Sequence, residues 1–416
     1  MSHEMLGIDG RVVYTMPALP SDVLRLREFE HFFRDYRGPT FSVQTKDGWS
    51  WSSSSGHPEF TATFSTCAEL DAVIDDSTEG ALSRMFLEGN LDVQGELFVL
   101  LSVAEYVLRH ASGLSGNLIH AIRRASLHWM KGLRISHRSS AAPWRLNSCL
   151  ASLPVDFFQP WLGPSLGHFC ARFRNPREAL EDAQQHAIKQ VCSDLKLEEH
   201  DRFLDMNCGW GSVLIYATGE YGVRGQGMAF SGQQAATILD RLRQRNLHRR
   251  CTVECRNSAE PLTIGSRFEK IVDIGLFDQV APLCFRSYLE YASDALTPGG
   301  ILLMHRTTRR PGASGKGGEV PHLESSGCGE LPLLSSELQV AESFGYQILN
   351  VEDLSEDYGL TLRHWIERIR CCETPLAETP KRQFRSWFFC LLETAAKLDV
   401  GEIQLQQLRL RRATAS

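Results

Sequence analysis

Phe203–Ser212 reads Phe-Leu-Asp-Met-Asn-Cys-Gly-Trp-Gly-Ser, FLDMNCGWGS, and this stretch decides the fold. An apolar pair runs into an acid, a glycine-bracketed turn follows, and Val213–Ala217 opens an apolar helix. Strand, tight turn and helix in that order put the turn at the carboxyl edge of a parallel sheet, where open α/β folds bind ligands. Gly209 and Gly211 let the backbone approach a ligand and tighten the entry to the helix. The spacing is not the GxGxxG of a dinucleotide binder, and no lysine follows to form a phosphate loop. Asn207 stands inside the turn; asparagine tolerates left-handed backbone better than most residues.

Outward from the turn, helix and strand alternate. Ala179–Leu195 reads as a helix with acids in its first turn, Gly225–Phe230 as a second strand, and Gln233–Arg245 as a helix. Thr252–Cys255 and Ile271–Gly275 read as strands, Phe285–Ala295 as a helix, and Ile301–His305 as a strand after the Pro298-Gly299-Gly300 turn. This is the pattern of a doubly wound parallel sheet. At its head, the turn is that of a Rossmann-like methyltransferase domain, with Asp205, Asn207, Cys208, Gly209 and Gly211 as candidate cofactor-binding residues. The second strand ends in Ala-Phe-Ser-Gly-Gln-Gln rather than in the acid that usually takes ribose hydroxyls. Ser231 or Gln234 would serve there. Arg309–Gly329, rich in Gly, Ser and Pro, reads as a long binding loop or lid.

Ahead of this domain, Thr40–Val43 and Glu59–Phe64 alternate as strands do, with Asp47-Gly48 as a turn between them. Leu82–Leu87 and Leu97–Leu108 have helical spacing around Glu88-Gly89-Asn90, so residues 1–110 read as a small α+β domain. Between Tyr106 and Val155 there is no acid, but there are Arg109, Arg123, Arg124, Lys131, Arg134, Arg138 and Arg145. Leu118, Ile122, Trp129 and Leu133 fall on one helical face and His120, Arg124, His128 and Lys131 on another. Such a basic amphipathic stretch suits an anionic bilayer surface, or equally a solvated helix packed on its own domain. The boundaries are thus 1–110, a basic linker over 111–150, and 151–416.

The whole chain, 416 residues with net charge −6, has no global pull toward nucleic acid. No apolar run is long enough to span a bilayer, and no secretory leader is visible. Twelve cysteines without CxxC pairs suit reduced thiols, and no metal motif appears. The expectation is a cytoplasmic protein.

FLDMNCGWGS followed by GMAFSGQQ resembles the cyclopropane-fatty-acyl-phospholipid synthase family, which shares its fold with the mycolic acid methyltransferases. The likeness continues in FLEGNLDVQGEL (Phe86–Leu97), VDFFQPWLGPSLGHFCARF (Val155–Phe173) and FEKIVDIGLFDQV (Phe268–Val280). It goes on through LTPGGILLMHRTT (Leu296–Thr308), EDYGLTLRHWIERI (Glu356–Ile369) and FRSWFFCLLETAAKLDVGEIQLQQLRLR (Phe384–Arg411). The resemblance implies an α/β, Rossmann-like class I methyltransferase domain behind a smaller N-terminal α+β lipid-associating domain. It also implies S-adenosylmethionine as cofactor, methyl transfer to a cis double bond of a phospholipid acyl chain at a membrane surface, and a homodimer. Proton loss from the resulting cation would close a cyclopropane ring. The family's base is bicarbonate, held by a cysteine, a glutamate, a histidine and a tyrosine. These carry over to Cys170, Asp278, His305 and Tyr358.

The sequence departs from the family in the site. The glutamate-histidine pair is Asp278-Gln279, one methylene shorter and without the titratable ring. The His-Tyr-Asp motif is replaced near Cys149–Ser152, Arg256 stands where an acid usually faces the adenine, and the lid carries the polar run around Ser325-Ser326-Gly327. Three functions stay open on the sequence: a lipid methyltransferase, a methyltransferase of another apolar substrate, and a non-catalytic lipid- or partner-binding paralogue.

Overall fold

The computed structural model describes residues 3–6, 12–15, 31, 33–70, 85–86, 88–96, 99, 103, 106, 153–255, 267–274, 285–311, 331–371 and 381–414. The chain divides into two compact units, Met1–Arg134 with Pro380–Ala396, and Ile135–Thr379 with Lys397–Ser416.

In the first unit β1 (His3–Leu6) pairs antiparallel with β2 (Val12–Thr15). A four-stranded sheet orders β4 (Ser50–Ser52), β3 (Phe41–Thr45), β5 (Phe60–Phe64) and β6 (Leu91–Gly95). The expected turn at Asp47-Gly48 closes the β3–β4 hairpin, with Gly48 at φ 109°, a backbone that favours glycine. Phe41 and Val43 point inward, with Phe33 edge-on to the Phe41 ring at 5.1 Å. On the other face Ser42 meets Thr61 (2.8 Å) and Gln44 meets Thr63 (3.0 Å). The alternation read in the sequence is this inside–outside pleat.

The helix α8 (Lys381–Asp399), which the sequence boundaries leave in the second domain, belongs to the first unit over most of its length. The reason is tertiary. The Arg385 guanidinium donates to the Phe86 and Leu91 carbonyls, at 2.8 Å each, and lies over the Phe86 ring.

The second unit is built on a seven-stranded sheet. Its parallel strands are β7 (Arg202–Asp205), β8 (Arg224–Ala229), β9 (Cys251–Cys255), β10 (Phe268–Asp273) and β11 (Leu296–Arg309). The antiparallel β13 (Ile403–Arg412) and then β12 (Tyr346–Asp353) complete the order β12-β13-β11-β10-β7-β8-β9. The chain leaves β7 toward β8 on one side and later returns to β10 on the other, so the topological switch point falls between β7 and β10.

The helices are α1 (Val155–Leu162), α2 (Leu180–Leu195), α3 (Ser212–Glu220), α4 (Gly232–Gln244), α5 (Phe285–Ala295), α6 (Leu334–Ser343) and α7 (Ser355–Cys371). One apolar layer joins Ile188, Val191, Leu214, Ile238, Val272 and Leu303; another joins Leu204, Ile271, Leu289, Leu302 and Met304. Leu302 and Leu303 are neighbours on one strand yet belong to opposite layers, as a strand covered on both faces requires. The Rossmann-like α/β expectation is met, with two differences. Leu91–Gly95 is a strand where only a turn and flanking helices were expected, and Leu296–Gly300 is already part of β11, with an irregular register against β10.

Candidate functional site

The switch point places the glycine turn. Asp205 pairs with Val272, and Asp273, one residue on, pairs with Met304. Asp205, Asp273 and His305 therefore follow one another across the carboxyl edge of β7, β10 and β11. Both acids are buried. Burial first, and then the charge of Asp273, push the Asp205 carboxyl up to about 8, while the backbone N–H groups of Asn207 and Leu214 pull the other way. Its Oδ1 has no hydrogen-bond partner among the described residues. The charge of Asp273 acts on buried Tyr288, whose hydroxyl donates to the Met206 sulfur at 3.5 Å.

Beyond Asp205 the chain turns through Asn207 and Cys208 into Gly209 (φ 49°) and Gly211 (φ 86°). A β-carbon at Gly211 would meet Ile238 at 3.0 Å, so that glycine serves the packing of α3 against α4. One at Gly209 would meet nothing within 4 Å, so the backbone there faces open space. The Cys208 thiol donates to the Met228 carbonyl at 3.0 Å inside the core, and burial raises its pKa well above the ordinary value. Only the backbone of Cys208 is left to meet a ligand.

Ser231 and Gln234 are engaged locally. The Ser231 Oγ accepts from the Gln234 N–H (3.1 Å), and the Gln234 side-chain oxygen accepts from the Phe230 N–H (3.0 Å), a reciprocal N-terminal cap of α4. The serine hydroxyl proton remains a donor.

Arg241, not anticipated from the sequence, clamps the turn. From α4 it donates to the Trp210 carbonyl (2.5 Å) and the Ser165 carbonyl (3.1 Å), and the Ser212 hydroxyl donates to Ser165 as well (2.6 Å). Among the described residues no carboxylate pairs with this guanidinium, and burial brings its pKa down to about 10.

The second set of candidates gathers one strand further along the edge. Cys170 and Tyr358 pack with Leu354 and Leu405 in one small cluster. The Cys170 thiol donates to the Ala171 carbonyl (3.3 Å) and approaches that of Leu354 (3.8 Å), while Ala171 N–H is held by Thr361 (3.0 Å). Burial, and then Asp357, raise the thiol well above its usual pKa, so it is a neutral S–H. His305 is pushed down to about 4, mainly by burial, and by the Arg172 charge. The same Arg172 acts on Cys170, and it is paired with Glu352 and lies 3.8 Å from Asp357. One guanidinium thus connects the cysteine and the histidine.

Asp278, together with Arg256, the basic stretch from Arg109 to Arg145 and the lid around Ser325, lies outside the described residues. Asp273 and Arg172 were legible in principle: one ends the strand beside Asp205's, and the other stands within the HFCARF segment. Arg241 gave no such signal, because its partners lie far away in sequence.

The family model described as mycolic acid cyclopropane synthetase matches residues 152–408, well over half of the 416 residues. The chain belongs to that family. It is 29% identical over 263 residues to a probable fatty acid methyltransferase of Pseudomonas putida, covering 61% of this chain and 65% of that protein. The match therefore spans just under two thirds of that relative's length. It is 25% identical over 307 residues to the cyclopropane-fatty-acyl-phospholipid synthase of Escherichia coli K12, covering 71% and 75%. The mycolic acid cyclopropane synthase CmaA1, complexed with SAH and CTAB, superposes with a TM-score of 0.58 at 22% identity, over 64% of this chain and 98% of that one. The fold of this cyclopropane synthetase family member is thus that of the methyltransferases, as the turn at Phe203–Ser212 implied.

Proposed function

We propose that the protein transfers the methyl carbon of S-adenosylmethionine to the double bond of an unsaturated phospholipid acyl chain, with ring closure to a cyclopropane. The observation that supports this best is the pairing of two sites on one sheet edge of a cyclopropane synthetase family member. The glycine turn and Asp205 would make one; Cys170 and Tyr358, with His305 related to Cys170 through Arg172, would make the other.

The residues present suit the cofactor. Gly209 offers open space, and the Asp205 Oδ1, without a partner among the described residues, is a buried polar group that a hydroxylated ligand could hydrogen-bond. S-adenosylmethionine supplies an activated methyl group when bound. Asp205, the Asn207–Gly211 backbone and the Ser231 hydroxyl would hold it, Gln234 bracing Ser231, and Arg241 keeps the turn in shape. Bicarbonate, where bound, supplies a base; the residues that would hold it are Cys170, His305 and Tyr358, with Asp278 in the place of the family's glutamate. Tyr358 offers a neutral phenol, and Arg172 beside Cys170 is balanced by Glu352 and Asp357, so the set is close to neutral and any anion would be held by hydrogen bonds rather than by net charge. Apolar Leu354 and Leu405 exclude water, which would trap a cation on the acyl chain.

The N-terminal unit, with boundaries near residue 110 and a basic linker to residue 150, is proposed to associate with lipid, and the protein to act as a cytoplasmic enzyme peripheral to the membrane. No described helix is long and apolar enough to cross a bilayer.

The test is incubation of the full chain with methyl-labelled S-adenosylmethionine and vesicles of cis-unsaturated phosphatidylethanolamine. Label in the acyl chains, with a mass gain of one methylene unit, is expected. Cofactor binding without any transfer to lipid would overturn the lipid reading; no cofactor binding would overturn both.

A further inference from the structure

His305 on β11 lies opposite Gln407 on β13, and its Nε2 is 3.2 Å from the Gln407 Oε1. Both side chains are buried. The other end of the Gln407 amide is 2.9 Å from an Asp194 carboxylate oxygen and 3.4 Å from one of Glu352. Carboxylates only accept, so the amide's NH2 must face them, and its oxygen must face the histidine. An amide oxygen also only accepts, so the N–H of this contact belongs to His305 Nε2. A neutral imidazole carries one N–H. Its Nδ1 therefore keeps the lone pair.

The amide cannot readily turn over, because both carboxylates are themselves anchored. Asp194 is held by Arg409 (3.3 Å), and Glu352 pairs with Arg172. Flipping Gln407 would set its oxygen against two carboxylates and its NH2 against the ring. Burial keeps the ring neutral, in line with its low pKa of about 4.

We infer that Gln407 is a positioning residue that fixes His305 as the Nε2–H tautomer, so that His305 presents Nδ1 as a hydrogen-bond acceptor. The tautomer follows from the hydrogen-bond chain alone; its value for the reaction rests on the function proposed above. In that setting His305 accepts a proton or an O–H and donates none at Nδ1. The Cys170 S–H is already directed at the Ala171 carbonyl, so Tyr358 is the candidate donor and His305 the acceptor of the set. A neutral acceptor at His305 suits a bound group that carries a hydroxyl.

The test uses the full chain labelled with 15N-histidine. His305 is assigned by loss of its signals in His305→Gln, or by their displacement in Gln407→Glu should the first variant not fold. Long-range 1H–15N spectra of the wild type should show His305 with Nε2 protonated and Nδ1 unprotonated, unchanged between pH 8 and about pH 6 given the pKa near 4. Gln407→Leu should abolish that single-tautomer signature, whereas Gln407→Glu, which keeps an acceptor, should retain the Nε2 proton. Methyl transfer to vesicles should fall about 10- to 100-fold in Gln407→Leu with cofactor affinity unchanged, the range typical of residues that orient a ligand. A wild-type Nδ1–H tautomer, or an unaltered signature in Gln407→Leu, would overturn the inference. A wild type with the expected spectrum but no transfer to lipid would instead overturn the proposed function.

Discussion

Replacing Asp205 by Asn asks whether the carboxyl at the heart of the cofactor turn is stored in its neutral form. In the fold its pKa is raised from 3.8 to about 8, by burial first and by the neighbouring Asp273 second. An unfolded chain ionises this group from about pH 3.9 upward, whereas the folded chain resists until about pH 8. The raised pKa therefore costs nothing at pH 4, costs progressively more as pH rises, and levels off above pH 8. Each pH unit in that window is worth about 1.4 kcal/mol, so at pH 7 the group costs the fold roughly 4 kcal/mol. Asparagine never ionises and fills almost the same volume. It accepts less strongly from the Asn207 and Leu214 N–H groups, a pH-independent loss of about 1 kcal/mol.

Urea unfolding at intervals from pH 4.5 to pH 8.5 measures the effect. Circular dichroism and tryptophan fluorescence, if their transitions coincide, establish that one transition is followed. The stability of Asp205→Asn minus that of the wild type should start slightly negative near pH 4.5 and climb by about 1.4 kcal/mol per pH unit toward pH 8. A flat difference across the window would refute a neutral Asp205. A variant that loses ground as pH rises would show that the carboxylate is charged and stabilising.

Glu337→Gln leaves Arg306, which is 1% exposed and lies over the Phe285 ring, without its counter-charge; a loss of about 3–5 kcal/mol in urea unfolding is expected, and the pair Arg306→Met with Glu337→Leu should recover most of it. No loss in Glu337→Gln, or no recovery in the double variant, would refute a buried pair. Gly211→Ala should cost about 2–4 kcal/mol, from left-handed backbone and the contact with Ile238, whereas Gly209→Ala should cost only about 1 kcal/mol of stability. The methyl of the latter enters open space, so it should weaken calorimetric S-adenosylmethionine binding by about tenfold; unchanged affinity would place the ligand elsewhere. His168 and His305, both pushed down to about 4 by burial, are neutral in the fold and add stability that is present above about pH 6.5 and is lost as pH falls toward 4. His168→Gln should make acid unfolding less steep, and an unchanged pH profile would refute a buried neutral ring there.

Much of the scaffold was legible because local chemistry determines it. β7, α3, β8 and α5 fall within a residue or two of their sequence expectations, since apolar runs, glycine turns and helical spacing are properties of neighbouring residues. Leu91–Gly95 was missed because its Leu-Asp-Val-Gln alternation runs over only four residues beside the Glu88-Gly89-Asn90 turn; pairing with β5 makes it a strand. The sequence boundaries place the helix from Lys381 within 151–416, and nothing local to it signals that Arg385 donates to carbonyls almost 300 positions earlier. Of the site, Asp205 and the two glycines announced themselves through motif and spacing. Cys170, His305 and Tyr358 entered only through family resemblance, each being equally at home in a core.

By itself the sequence determined an alternating α/β domain with a glycine turn at its sheet edge, because both the turn and the hydrophobic periods act over a few residues. Only the tertiary structure decided what those residues are as chemical groups. The carboxyl of Asp205 is raised by burial first, and then by a neighbour on another strand. Cys208 is turned into the core, and the tautomer of His305 is set by an amide 102 positions away. Charge and proton position depend on what surrounds a group in space, and the strand pairing that supplies those surroundings is written nowhere in the local sequence.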